Sequence, residues 1–157
     1  MIGRDNRAVS VAITHSLTLA ITAILISTLL VGAGQFLTDQ EELAARQQLG
    51  EVGSDVVSHI NTLDRLNATG EDVNVTVRPS YPEQVVGEPY TINITDDKSS
   101  FPFETDYALE IRSESLNQPI QYPLSTDVTL DETAQAKGGQ VTVCLVEGNA
   151  SIGGGCP

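Results

Sequence analysis

The sequence predicts an α+β protein, with a long N-terminal apolar/amphipathic helix followed by a small antiparallel β-rich, sandwich-like head domain. Three observations carry this. Thirty residues from Ala8 to Leu37 contain no Asp, Glu, Lys or Arg. Leu49, Val52, Val56, Ile60, Leu63 and Leu66 then recur at three- and four-residue spacing, the mark of an amphipathic helix. After "NATGED" the apolar period changes to two, in short runs separated by Pro and Gly.

The first element is the uncharged run, "AVSVAITHSLTLAITAILISTLLVGAGQFL". A cleaved secretory signal has an apolar core of about 7–15 residues, whereas a bilayer takes about 20. The run exceeds both, so it reads as a retained membrane-spanning helix. Arg4 and Arg7 precede it, and the acids follow it. The positive-inside rule therefore puts the N-terminus in the cytoplasm and the rest of the chain outside.

Taken at every fourth residue, the run separates into ridges. Ala8, Ala12, Ser16 and Ala20 form a small one; Val9, Ile13, Leu17, Ile21, Leu25 and Leu29 a large one; Ser10, Thr14, Thr18 and Thr22 a hydroxyl one. Lipid asks only for apolarity, while helix-on-helix packing sets bulky ridges into grooves left by small residues. The alternative is that the hydroxyls are simply tolerated by bonding to the carbonyl four residues back. His15, on the fourth ridge, reads as a neutral hydrogen-bonding residue, and Gly32 and Gly34 offer a place to bend.

The second element, residues 38–66, is the amphipathic helix. Thr38 and Glu41 match a capping box that would begin a separate helix, unless the first runs through. Glu42, Arg46, Glu51, Asp55 and Asp64 occupy its other faces, with His59 as a solvated residue. If the two stretches are continuous they form one helix of about 58 residues, on the order of 85 Å long. Gly50 and Gly53 weaken it.

The third element, residues 67–157, is the head. Candidate strands hold Val73, Val75 and Val77; Tyr90, Ile92 and Ile94; Tyr107, Leu109 and Ile111; Val128 and Leu130; and "QVTVCLV" from Gln140. Such a sheet needs an apolar partner, and the helix from Leu43 to Leu66 supplies one. The core is thin for about 90 residues without Trp. A Cys144–Cys156 disulfide outside the cell would help it, two free thiols being the alternative.

The net charge of −13 is unevenly spread. Up to Thr38 two arginines and Asp5 give +1; from Asp39 onward 20 acids against 6 bases give −14. This surface repels nucleic acid and anionic lipid alike. Acid excess with two lysines suits strong brine, an ordinary acidic protein being the alternative. Four Asn-x-Ser/Thr sequons, at Asn67, Asn74, Asn93 and Asn149, all follow the apolar run and are glycosylation candidates if the head is exported.

Catalytic and metal chemistry are not expected. The two histidines fall one in the membrane and one on a helix. "IGGGC" lacks the Lys-Ser/Thr of a phosphate loop, and "DD" at Asp96 lacks calcium-loop spacing. No cofactor is expected, and no enzyme.

At "DNRAVSVAITHSLTLAITAILISTLLVGAGQF" the chain resembles the N-terminus of archaeal, particularly haloarchaeal, type IV pilin-like proteins. The resemblance covers about the first forty residues. It implies a short leader, residues 1–8, removed by a prepilin peptidase at Arg7-Ala8-Val9, and an assembly helix over residues 9–37. It further implies other pilin-like subunits, or copies of the chain itself, as partners. Many major haloarchaeal pilins carry a proline soon after "AVS", where Val11 and Ala12 stand here, and few carry a histidine such as His15. That points to a minor pilin or to a pilin-like surface protein. The rival reading is a single-pass anchored surface protein whose β domain binds a partner or wall component. A membrane-tethered enzyme is the weakest alternative.

Overall fold

The computed structural model describes residues 6–70, 73–97 and 99–156. Its first element, α1, is an unbroken α-helix over Asn6–Thr69. Helix therefore runs through Gly32, Gly34, Gly50 and Gly53, and through the capping box that would have opened a second helix. Thr38 donates its hydroxyl to the Gly34 carbonyl (3.3 Å), which is an interior helical bond, not a cap. The residues fall into two compact units, Met1–Gln40 and Glu41–Pro157, so the amphipathic stretch forms one unit with the strands.

The strands are β1 (Asn74–Val77), β2 (Gln84–Val85), β3 (Glu88–Thr95), β4 (Tyr107–Ser113), β5 (Ile120–Leu124), β6 (Thr129–Leu130), β7 (Gln135–Lys137), β8 (Val143–Val146) and β9 (Asn149–Ile152). One sheet has the order β1-β8-β9-β6, the other β2-β3-β4-β5 with β7 also paired to β3. The pairs are antiparallel, except that β6 and β9 run parallel. The expected antiparallel arrangement thus holds, with one short parallel pair added at the edge of the first sheet. β8 and β9 form a hairpin, with Glu147 and Gly148 both at positive φ in the turn. Expected strands shrink at the ends: Gln140 makes an isolated bridge to Ser80, and the regular ladder begins only at Val143.

Period-2 patterning explains β3, where Tyr90, Ile92 and Ile94 are buried and the residues between them are not. β5 contains Pro123, opposite Ala108. It occupies a sheet edge, where a missing N–H is tolerated.

One apolar cluster serves both sheets and the helix. Leu49, Val52, Val56, Ile60 and Leu63 of α1 are buried with Ile92 and Ile111 of one sheet and Leu145 and Ile152 of the other. The buried seam of the helix runs from Ala45 to Leu63, inside the expected stretch from Leu43 to Leu66. Leu43 and Leu66 are exposed.

Polar bonds then fix the helix to the strands at several levels. Glu42 accepts from Asn117. Tyr122 donates to the Gly50 carbonyl (2.7 Å), and Tyr81 to Asp55 (2.7 Å). Asp64 accepts from the Thr126 hydroxyl (2.7 Å) and from the backbone N–H groups of Asp127 (3.0 Å) and Val128 (3.3 Å). Residues that read from sequence as a solvated face are therefore partly structural. His59 is half-buried, with Nε2 3.5 Å from Asp55.

Candidate membrane and assembly surface

The segment from Val11 to Gln40 is exposed at every residue. Of the large ridge, Ile13, Leu17, Ile21, Leu25 and Leu29 all lie more than half open, Val9 falling outside the described side chains. An isolated helix that is apolar on every side is at home in hydrocarbon, where its backbone bonds are already made internally. Among the described residues, one helix is long and apolar enough to cross a membrane.

Its hydroxyls are turned inward on the helix itself. Ser16 donates to the Ala12 carbonyl (2.9 Å), Thr18 to Thr14 (2.9 Å), Thr22 to Thr18 (2.8 Å), Ser27 to Ala23 (2.8 Å) and Thr28 to Ile24 (2.9 Å). Each hydroxyl hydrogen has an acceptor without help from a neighbouring helix. What the small ridge contributes is therefore space. Ala12, Ser16 and Ala20 leave a shallow strip beside the larger side chains. His15 is exposed on the same segment.

The expected processing residues Arg7, Ala8 and Val9 lie in the first turns of α1. Their side chains, that of Ala8 on the small ridge included, and residues 1–5 of the leader lie outside the described residues.

The sequons are scattered over the second unit. Asn67 is half-buried near the end of α1, Asn74 exposed at the start of β1, Asn93 half-buried within β3, and Asn149 exposed at the start of β9. Asn74 and Asn149 both stand opposite Val146, so they lie two strands apart on one row. Cys144 of β8 and Cys156 form a disulfide with Cα atoms 5.7 Å apart. It pins the segment after β9 back onto the sheet. Among the described residues, no three His, Cys, Asp or Glu side chains are grouped to hold a metal ion.

The chain matches the model of a family of unknown function (DUF7266) over residues 4–153. It belongs to that family. Membership of DUF7266 takes in both the apolar helix and the strands through β9, so the family unit is helix plus head. No curated protein and no solved structure matches the chain.

Sequence reasoning passed over one surface feature. In the loop between β3 and β4, Phe101 and Phe103 form an aromatic pair with ring centroids 5.8 Å apart. Phe103 is 56% exposed, more than any other large hydrophobic described in the second unit. The signal was present as "FPF", an apolar triplet between "DDKSS" and "ETD".

Proposed function

We propose that this protein is a membrane-anchored, pilin-like structural subunit, of the minor-pilin type, in an archaeal cell-surface filament. The observation that carries the reading is the fully exposed apolar segment of α1, with its small and large ridges, passing without a break into the helix of a folded acidic head. The N-terminus is cytoplasmic and a prepilin peptidase removes the leader at Arg7-Ala8-Val9. The helix then packs among like helices, while the head faces outside, where the Cys144–Cys156 disulfide is stable and the exposed sequons at Asn74 and Asn149 are open to glycosylation. Acid excess keeps the head soluble in brine. No catalytic role is assigned.

A second reading is favoured by the hydroxyl bonds. Because Ser16, Thr18, Thr22, Ser27 and Thr28 each bond a carbonyl of their own helix, these hydroxyls need no helical partner in a lone span. On that reading the chain is a single-pass surface protein whose head binds a partner or wall component. Terminal sequencing and intact mass of protein from its native membrane separate the two. A pilin-like chain begins at or next to Val9. Retention of Met1–Arg7 on most molecules removes the pilin reading and leaves the anchor.

A further inference from the structure

The geometry points to the Phe101–Phe103 loop as a docking surface for a cationic, arginine-bearing partner. This holds for either reading of the helix, since it concerns the head alone.

Exposed single hydrophobics are ordinary, so position and surroundings must carry the argument. The chain has seven aromatic residues, three Phe and four Tyr. Two of the three Phe meet in one loop, and Phe103 turns over half its surface to solvent. Its ring forms one wall of a groove of about 490 Å³ completed by Glu104, Thr105, Asp106 and Ser125. Asp106 is shared with an adjoining depression that also holds Asp96, Asp127 and Glu132. Among the described residues no Lys or Arg lines either hollow.

The base of this surface is stiff. Thr105 donates to the Leu124 carbonyl (2.7 Å), Asp106 accepts from the Thr126 N–H (3.2 Å), and Thr126 donates to Asp64 on the helix. The foot of the loop, Thr105 and Asp106, is thus anchored next to the ring, which reduces the order left to be imposed on binding.

The charge chooses the occupant. An aromatic face carries partial negative charge and attracts a guanidinium, and carboxylates beside it accept charge-assisted hydrogen bonds from the same group. A second copy of this head is disfavoured, because its own surface is acidic. A neutral apolar partner would leave the carboxylates desolvated without partners.

The test uses the full chain in neutral detergent at moderate salt, with fluorescent Gly-Arg-Gly-Arg-Gly as probe and the Gly-Ser analogue as control. The arginine peptide should bind and the serine peptide should not. Phe103→Ala and Phe103→Leu should both weaken binding about two- to fivefold, and Phe103→Trp should strengthen it. Glu104→Gln should weaken it similarly, whereas Glu114→Gln, beyond the other end of β4, should not. Near-ultraviolet circular dichroism and the denaturant midpoint check that each variant is folded. Any of four results overturns the proposal: no binding; equal binding of the serine peptide; full activity of Phe103→Leu, which would leave a merely apolar contact; or equal loss in Glu114→Gln, which would leave only net charge. Phe103-dependent self-association would make a second copy the occupant and overturn it too.

Discussion

Alanine should have opposite effects at the two glycines of the packed part of α1. At Gly53 a Cβ would sit well inside contact distance of Tyr122 Cε2 and 2.9 Å from Ile111 Cδ1. The Tyr122 ring is held over the helix by its bond to the Gly50 carbonyl (2.7 Å). To make room it must swing off that carbonyl, or the helix must lift from β4 and β5. Overpacking costs about 1–3 kcal/mol, and the lost hydrogen bond about 1 kcal/mol. Alanine's better helix propensity returns about 1 kcal/mol, leaving Gly53→Ala about 1–3 kcal/mol less stable. At Gly50 the nearest atom to an added Cβ is the Tyr122 hydroxyl at 3.5 Å, an ordinary contact. Gly50→Ala should therefore stabilise, by up to about 1 kcal/mol. The assay is denaturant unfolding of the full chain in detergent, followed by near-ultraviolet circular dichroism, which reports the tyrosines. Replacing Tyr122 by Ala should remove the penalty at Gly53, completing a double-mutant cycle. Equal effects at the two glycines, or a Gly53 penalty that survives loss of the ring, would refute the packing argument.

Three further expectations follow from named contacts. Ala12→Leu and Ala20→Leu should insert into membranes at least as well as the parent, yet self-associate less; association unchanged in both would reduce the ridges to chance. Free-thiol labelling of unreduced protein should fail, and replacing Cys144 and Cys156 by Ser, which opens a loop with a sequence separation of 12, should cost about 3 kcal/mol in the unfolding midpoint assay. Burial raises the Tyr81, Tyr90 and Tyr122 hydroxyls above their usual range, and the carboxylate of Asp55 raises Tyr81 further. The folded head thus holds protons that the unfolded chain releases near pH 10, so stability is intact below that pH and falls as pH rises beyond it. Phenolate absorbance against pH should show Tyr81 titrating earlier in Asp55→Asn, and identical curves would contradict the assigned bond.

The order helix then strands, the apolar segment, the seam from Leu49 to Leu63 and the strands around Ile92 and Leu109 were all legible in the sequence. Each rests on periodicity or charge, which act locally and repeat along the chain. β2 and β7 carry two and three residues, too few for a period to register, and β9 reads "NASI", with no run of bulky apolar residues to mark it. They exist because neighbouring strands offer them hydrogen bonds, and the parallel β6–β9 pair likewise depends on where the chain returns. Sequence also left open whether one helix or two precede the head. Thr38 can cap a helix or bond back within one, and here its hydroxyl goes to Gly34.

Composition, charge asymmetry and the uncharged run alone determined that this chain has a membrane-length helix and an acidic domain, because hydropathy and charge sum over residues wherever they fold. Only the tertiary structure decided that Gly53 is a contact point and that Asp64 is a clamp. It alone set Phe103 and Asp106 beside Ser125, from the segment after β5, in one groove. Those properties belong to distances between residues far apart in the chain, which the closing of the core sets.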